Sequence, residues 1–210
     1  MSMIPAPLLA VQDLRKVYTR GLLDRTPTFR LQADFVVPEP TVVGVMGPNG
    51  SGKTTLFELI TGSNQPSAGR VVTAGQDIHR VRYRERSRLA IHYHQSYQVR
   101  RFRTLIPNFL LERAHSDSPV IHLFDEPQFN TQDGYIGFML DFFRRLRSEG
   151  RLVFVCLHPT AAFQLDILRE ICERFLFVAR GKMHEFSGFA ALTDDADVRR
   201  YLGALERDRS

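Results

Sequence analysis

The sequence predicts an α/β fold with a mostly parallel sheet. From residue 41 onward, short apolar runs of strand length alternate with segments of helix length, as in sheets whose parallel strands are joined by helices. A glycine-rich turn lies directly between the apolar run 42–46 and the helix-length segment 54–60. Hydrophobic residues make up 43% and charged residues 24% of the chain, a composition that favours a globular protein over a fibrous or disordered one.

The elements follow from the apolar pattern in chain order. Residues 8–18 and 29–37 have strand-like content and are separated by a polar loop. After the 42–46 strand, further strands are predicted at residues 89–94, 120–124, 152–157 and 175–179. The clearest helix follows Gly134, because its apolar residues recur at spacings of three and four: Ile136, Met139, Leu140, Phe143 and Leu146. A tight turn at residues 180–182 and a polar helix at residues 194–202 are predicted after it.

Length and cysteine usage restrict the class of protein. A chain of 210 residues predicts one domain over residues 1–210. Cys156 and Cys172 each lie in an apolar segment, so we expect buried thiols in a reducing compartment. No run reaches the roughly 18 apolar residues that cross a bilayer. We therefore expect a cytoplasmic protein, peripheral at most at the inner face of a membrane.

The net charge of +5 is concentrated in one segment. Eight arginines and one acid, Glu85, lie between Arg80 and Arg103. A solvated basic face is the simplest interpretation, and contacts to nucleic-acid phosphates or anionic lipid headgroups are the alternatives. Residues 82–89 fit an exposed short helix as well as an alternating segment.

A phosphate-binding motif occupies residues 47–54, which match GxxxxGK[ST] in the order strand, loop, helix. Glycines let the main chain curl so that its N–H groups point at phosphate oxygens, and the helix N-terminus adds partial positive charge. Lys53 is predicted to reach the β- and γ-phosphates, and the Thr54 hydroxyl to hold Mg²⁺. The predicted ATP-binding residues here are Gly47, Pro48, Asn49, Gly50, Ser51, Gly52, Lys53, Thr54 and Thr55.

An acidic pair follows the predicted strand at residues 120–124. P-loop ATPases hold the metal partly through a carboxylate at the end of a second strand, and Asp125 is predicted to be that Mg²⁺ partner. Glu126 is predicted to accept a proton from the attacking water or to orient it. Alone, such a pair would indicate a solvated helix cap; beside the phosphate loop it indicates catalysis.

These residues resemble the ATP-binding cassette (ABC) ATPase family. GPNGSGKTT is that family's usual phosphate loop, and Asp125-Glu126-Pro127 the usual continuation of its acidic strand. Residues 61–62, 66–69 and 75–78 look like the stretch that follows the phosphate helix. The resemblance runs from about residue 8 to residue 188. It implies a P-loop NTPase (RecA-like) core with a mostly parallel sheet, an N-terminal antiparallel β part, and Mg-ATP as ligand.

The resemblance implies roles for three more residues. Tyr18 is similar to the aromatic residue that stacks on adenine, although a core or surface tyrosine is the alternative. Gln95 looks like the Q-loop glutamine, which contacts the metal or water and senses the membrane partner. His158 looks like the switch histidine that faces the γ-phosphate. Without the resemblance, a single histidine there would indicate a structural role.

The sequence departs from the family between the Q-loop and the acidic strand. Gln95 and Asp125 are 30 positions apart, so the helical subdomain is predicted to be truncated around residues 96–118. Residues 101–105 stand where the LSGGQ motif is expected, and they do not match it. Asp133 stands near the expected D-loop, but residues 128–132 do not match the usual sequence of that loop.

The missing motif predicts weak activity for the isolated chain. Removing one preorganised donor from a site of developing charge costs about 10² to 10³ in rate, and LSGGQ supplies several donors across a dimer. We expect a homodimer to bind Mg-ATP and hydrolyse it slowly, whereas a heterodimer with an LSGGQ-bearing partner would have one competent site. An alternative is that Arg101 or Arg103 acts as an arginine finger in place of the motif. The simpler interpretation is that both arginines lie on a solvated basic face.

Other histidines give weaker signals. His92 and His94 would share one face of a strand, a metal-binding spacing, but no carboxylate or cysteine stands at a matching spacing, which favours a structural or surface role. His122 interrupts an apolar strand and is expected to hydrogen-bond to the main chain.

The favoured function is an ATP-binding subunit that works with a membrane permease or with a second ABC ATPase subunit. The alternative is a regulatory nucleotide switch with little hydrolysis. A nucleic-acid-processing ATPase is disfavoured because the sequence has no coiled-coil insertion, although the arginines keep this possibility open.

Overall fold

The computed structural model describes residues 6–21, 26–93, 119–127, 135–203 and 205. In chain order, the strands of this part are β1 Leu9–Arg20, β2 Thr26–Val37, β3 Val42–Met46, β4 Ala68–Thr73, β5 Gln76–Asp77, β6 Ala90–Tyr93, β7 Ile121–Asp125, β8 Leu152–Cys156, β9 Arg174–Ala179 and β10 Lys182–Phe186. Its helices are α1 Lys53–Ile60, α2 Tyr83–Leu89, α3 Tyr135–Ser148, α4 Ala162–Ile171, α5 Phe189–Asp194 and α6 Ala196–Leu202.

One mixed sheet contains all of these strands, in the order β5-β4-β1-β2-β10-β9-β3-β8-β7-β6. Strands β9, β3, β8, β7 and β6 are parallel to one another. Their residues are mostly apolar and mostly buried, as expected for parallel strands covered on both faces. The predicted α/β class with a mostly parallel sheet is confirmed.

The N-terminal strands form the antiparallel part of the sheet. Strand β1 pairs antiparallel with both β2 and β4, and β4 pairs antiparallel with β5. The register of β1 is irregular after Val11, where Asp13 has a φ of 46°. The antiparallel β9–β10 hairpin joins this part to the parallel strands, because β10 also pairs with β2.

Apolar side chains cover both faces of the sheet. On one face, Leu56, Phe57 and Ile60 of α1 pack into a fully buried cluster with the sheet. On the other face, α3 and α4 cover β3, β7 and β8. The predicted stripe of α3 is confirmed, since Met139, Leu140, Phe143 and Leu146 are buried, with Ile136 partly buried beside them.

The turn between β9 and β10 depends on two residues with left-handed backbone. Arg180 and Gly181 have φ values of 52° and 72°. A Cβ atom on Gly181 would lie 1.7 Å from the carbonyl oxygen of Arg30, so the main chains of β2 and this turn approach too closely for a side chain. This confirms the tight turn predicted at residues 180–182.

The arginine-rich segment forms α2, which confirms the exposed-helix alternative for residues 82–89. Arg82, Arg84 and Arg88 are exposed. Arg86 differs, because its guanidinium donates to the carbonyl oxygens of Gly62, Val81 and His79. This side chain therefore cross-links α2 to the segment that follows α1. No helix among the described residues is long and apolar enough to cross a membrane.

The start predicted for the polar helix at residues 194–202 is wrong, because the observed helix α6 begins at Ala196. Two short helices, α5 and α6, meet at Asp195, whose backbone is extended and whose Oδ1 accepts hydrogen bonds from the N–H groups of Asp197 and Val198 at 2.9 and 3.0 Å. An aspartate N-cap satisfies the free first-turn donors of a helix, so the chain begins a new helix there. Val198 and Leu202 anchor α6 in the core.

Replacing Asp195 with alanine is expected to lower the free energy of unfolding by about 1 kcal/mol, because two first-turn N–H groups lose their acceptor. Urea unfolding followed by circular dichroism measures this. Asp197→Ala, which removes only an exposed ion pair with Arg200, is the control and is expected to cost less than about 0.5 kcal/mol. Equal losses in the two variants would contradict the capping role of Asp195.

Candidate functional site

The predicted site residues meet where parallel strands end. Strand β3 leads into the phosphate loop, β7 ends at Asp125, and β8 leads to His158. Since β8 lies between β3 and β7, the carboxyl ends of the three strands are neighbours at one edge of the sheet. Ligands of open α/β sheets bind outside this edge.

The phosphate loop has the curled main chain that its glycines predict. Gly47, Gly50 and Gly52 have φ values of 145°, 72° and 111°. A Cβ atom on Gly47 would lie 2.0 Å from the carbonyl oxygen of Val178, so only glycine fits against β9 there. Gly52 is the N-cap of α1 and offers no side-chain acceptor, which leaves the first-turn N–H groups of the helix available to an anion.

Two polar side chains of the loop are poised for a ligand. The Lys53 ammonium is buried and donates to the carbonyl oxygens of Gly47 and Pro48 at 2.7 and 2.9 Å. The Ser51 hydroxyl is buried and has no hydrogen-bond partner among the described residues. A buried hydroxyl without a partner is costly, so a ligand that offers acceptor oxygens fits this loop.

The Asp125 carboxylate joins the loop to the neighbouring strands. Its Oδ2 accepts a hydrogen bond from Thr54 Oγ1 at 2.9 Å and lies 3.3 Å from Nε2 of His92 on β6. Two of the three predicted Mg²⁺ residues, Thr54 and Asp125, are therefore in direct contact. The spacing of His92 and His94 predicts a structural or surface role, and the structure places His92 against the predicted metal carboxylate.

The surroundings of Asp125 keep its carboxyl group ionised. Burial raises the pKa, but hydrogen bonds from His92 and Thr54 outweigh burial, so the pKa lies below its usual value. Cys156 lies beside it, and burial followed by the charge of Asp125 raises the pKa of the Cys156 thiol well above its usual value. Burial likewise raises the pKa of Cys172. Both cysteines are buried free thiols, as predicted.

Glu126 has a left-handed backbone that the sequence did not indicate. Its φ is 50°, and its N–H donates to the carbonyl oxygen of Cys156 at 2.9 Å. Glutamate in this conformation costs about 1–2 kcal/mol per residue relative to the right-handed form. Its half-buried side chain lines the same cleft as Lys53, Thr54 and Asp125. Backbone strain held at a polar cleft is typical of functional sites.

The cleft beside the loop has a volume of about 410 Å³ and two aromatic walls, Tyr18 and Phe29. Tyr18 is 37% exposed, and its hydroxyl accepts a hydrogen bond from Asn64 at 2.7 Å. The ring of Phe29 lies against Gly52, since a Cβ there would be 2.9 Å from Phe29 Cζ. The structure thus brings Tyr18 to the cleft, and Phe29 is a lining residue that sequence reasoning missed.

His158 is held by the C-terminal helix. Its Nδ1 lies 2.7 Å from the Tyr201 hydroxyl of α6. Sequence reasoning missed Tyr201, because nothing in a polar helix marks a residue 43 positions away as a neighbour. His122 was expected to hydrogen-bond to the main chain, and among the described contacts its Nδ1 lies 3.0 Å from the Tyr93 hydroxyl. Two neighbouring parallel strands bring these aromatic rings face to face.

Several predicted features lie outside the described residues. These are Gln95, His94, the LSGGQ position at residues 101–105 with Arg101 and Arg103, the truncated segment 96–118 and the D-loop residues 128–133. Their proposed roles stay predictions.

The donor set at Asp125 fits magnesium better than a transition metal. Among the described residues, no group of three or more histidine, cysteine, aspartate or glutamate side chains could hold a metal. Mg²⁺ is commonly bound through one or two protein oxygens plus substrate phosphates, and Thr54 and Asp125 supply two such oxygens. The loop and this pair therefore fit a magnesium–nucleotide complex, with the phosphates on the loop.

The strand–loop–helix arrangement and the acidic strand beside it define a P-loop NTPase. The family model described as "ABC transporter" matches residues 31–132. A nucleotide-free ATP-binding cassette from an ABC transporter superposes with a TM-score of 0.67 at 16% identity, over 92% of this chain and 98% of that one; this likeness shows the fold.

Curated relatives match parts of the chain. The ATP-binding protein ChvD of Rhizobium radiobacter is 43% identical over 72 residues, 34% of this chain and 23% of the relative. The energy-dependent translational throttle protein EttA of Escherichia coli K12 is 40% identical over 72 residues, 34% of this chain and 12% of the relative. The lipoprotein-releasing system ATP-binding protein LolD of Coxiella burnetii is 32% identical over 104 residues, 50% of this chain and 43% of the relative.

The chain is therefore similar to ATP-binding cassette ATPases, and the family model covers just under half of its residues. The matched segments span less than half the length of these curated relatives.

Proposed function

We propose that this chain is a single nucleotide-binding domain over residues 1–210 that binds Mg-ATP on residues 47–55 and hydrolyses it in a dimer to drive a membrane partner. The observation that carries the proposal is the loop itself. The Lys53 ammonium and the Thr54–Asp125 contact line one cleft, and the buried Ser51 hydroxyl of the same loop has no hydrogen-bond partner among the described residues. These are the donors and oxygen ligands that phosphates and Mg²⁺ need.

Within this proposal each residue has a role. Gly47, Asn49, Gly50, Gly52 and Thr55 offer main-chain donors to the phosphates, with Pro48 shaping the loop. Mg²⁺ supplies charge neutralisation of the phosphate oxygens. Thr54, Asp125 and Gln95 hold the metal, Glu126 accepts the proton of the attacking water or orients it, and Tyr18 stacks on the base. His158 contacts the terminal phosphate.

The described geometry supports the assignment of Glu126. The left-handed φ of 50° and the Cys156 hydrogen bond hold its main chain beside β8, and its side chain lines the cleft next to Asp125. A carboxylate that reaches the same cleft as the ligand phosphates is the geometry a general base needs.

A regulatory switch with little hydrolysis is the second candidate. It is favoured by the sequence of residues 101–105, which lacks LSGGQ, and by the 40% identity to a translational throttle protein over 72 residues. In this case the chain binds Mg-ATP and changes partner affinity, and the isolated chain turns ATP over slowly. A slow homodimer that gains activity with an LSGGQ-bearing partner is the transporter-type outcome.

Partner capture separates the two functions. Glu126→Gln protein loaded with Mg-ATP is incubated with detergent-solubilised native membranes and with soluble extract, and bound proteins are identified by mass spectrometry. Lys53→Ala protein is the matched control, because it is expected not to hold ATP. An integral membrane protein recovered only with Glu126→Gln supports the membrane-driving function; soluble partners alone support the switch. Fast turnover by the purified wild-type chain would contradict the slow-hydrolysis expectation.

A further inference from the structure

The C-terminal helix α6 contributes one hydroxyl to the edge of the site. Tyr201 OH lies 2.7 Å from His158 Nδ1, and the ring centroids are 5.7 Å apart. The tyrosine ring also contacts Phe177 of β9, with centroids 5.5 Å apart. Because β9 is a core strand beside β3, the phenol ring contacts both the sheet and the histidine.

The anchoring of α6 makes this contact a defined one. The Asp195 N-cap begins the helix, and Val198 and Leu202 are buried in the cluster that also contains Phe177. Tyr201 lies between these two anchors in sequence and packs partly buried against the same cluster. The packing of α6 against the core therefore fixes the position of the Tyr201 hydroxyl.

The chemistry of the Tyr201–His158 pair indicates which group donates the hydrogen bond. Burial raises the pKa of the Tyr201 phenol, and the nearby Cys156 and Glu126 act in the same sense, whereas a hydrogen bond from the Gly47 main chain acts in the opposite sense. The phenol therefore keeps its proton at neutral pH. A neutral imidazole has one donor and one acceptor nitrogen, and the partner of one nitrogen decides the tautomer.

We propose that Tyr201 is a positioning residue whose hydroxyl donates a hydrogen bond to His158 Nδ1. This hydrogen bond keeps the proton of the imidazole on Nε2. The Nε2–H group is then the one left to donate to a phosphate oxygen. This inference deepens the proposed function, on which the role of His158 rests. It makes the C-terminal helix part of the nucleotide site, although α6 contributes no residue to the cleft lining.

Nitrogen-15 NMR of the nucleotide-free full chain tests the tautomer directly. The His158 signals are assigned by their loss in His158→Asn. We expect wild-type His158 to carry its proton on Nε2, and Tyr201→Phe to give a mixture of tautomers. Phenylalanine keeps the ring and its contact with Phe177, so the variant tests the hydroxyl alone. A wild-type proton on Nδ1, or an unchanged tautomer in Tyr201→Phe, would overturn the proposal.

Kinetics supply the second measurement. Tyr201→Phe is expected to lower the single-turnover hydrolysis rate about 10-fold while the Kd for Mg-ATP stays within about twofold. A hydrolysis rate equal to that of the wild type would overturn the positioning role. If the wild type binds no ATP, the proposed function fails instead, and the tautomer measurement still decides the inference.

Two control variants separate the hydroxyl from general stability. Tyr93→Phe removes a hydroxyl from the other tyrosine–histidine pair, with His122, and Asp195→Ala weakens α6 but keeps Tyr201. Both are expected to lower the unfolding midpoint and to leave the His158 tautomer as in the wild type. A tautomer change in Tyr93→Phe equal to that in Tyr201→Phe would show that loss of stability, not the hydroxyl, is responsible.

Discussion

Replacing Lys53 with alanine is expected to weaken Mg-ATP binding at least about 100-fold. The Lys53 ammonium donates to Gly47 and Pro48 carbonyls beneath the loop, where it can turn to the ligand phosphates. A hydrogen bond to a charged group contributes about 1.5–3 kcal/mol, and two decades of affinity correspond to about 2.8 kcal/mol. Isothermal titration calorimetry with a non-hydrolysable ATP analogue measures the change.

The control for Lys53→Ala is an alanine substitution of a lysine that lies outside the loop. Lys182 is exposed at the start of β10, so Lys182→Ala removes the same charge without touching the loop and is expected to keep the wild-type Kd within about twofold. Circular dichroism checks that both variants are folded. An affinity of Lys53→Ala within about threefold of the wild type would contradict the assignment of residues 47–55 as the phosphate site.

Glu126→Gln is expected to slow hydrolysis about 10²- to 10³-fold with little change in Mg-ATP affinity. The substitution keeps the shape and the backbone conformation but removes the carboxylate that accepts or orients the proton of water, a contribution of this order. Single-turnover hydrolysis of radiolabelled ATP with enzyme in excess is the measurement, because it resolves slow rates. The binding isotherm is recorded with the same protein.

Glu149→Gln is the matched variant for this experiment. Glu149 is exposed directly after α3 and lies 3.9 Å from Arg145, so its amide variant is expected to hydrolyse ATP at the wild-type rate. Unchanged hydrolysis in Glu126→Gln would remove Glu126 from the catalytic machinery. An affinity loss as large as the rate loss would assign Glu126 to binding instead.

Local sequence was enough to predict the five parallel strands, β1, β2, α1, α3 and the phosphate loop, whereas β4, β5 and α4 were not predicted. The loop lies between a strand and a helix, and its glycines, Lys53 and Thr54 fall within eight adjacent positions. The motif can therefore be identified from local sequence. The apolar spacing of α3 predicts its buried face correctly, because helical periodicity is a local property. The predicted strand bounds differ from the observed ones by a few residues, mainly at the ends of β1 and β2.

The tertiary structure decided which of these residues meet. Thr54 and Asp125 are 71 positions apart, His92 and Asp125 are 33, and His158 and Tyr201 are 43. Their contacts depend on the order and register of parallel strands and on the packing of α6. No local pattern encodes these, because strand order results from the burial of both sheet faces together.

The sequence by itself determined the class of fold, the phosphate loop and the acidic pair, since each is written in adjacent residues. Only the tertiary structure revealed the left-handed backbone of Glu126, the aromatic wall at Phe29 and the hydroxyl of Tyr201 on His158. The physical reason is that a backbone conformation or a contact held by distant elements depends on the whole packed sheet, whereas a helix, a strand or a glycine loop follows from its own neighbours.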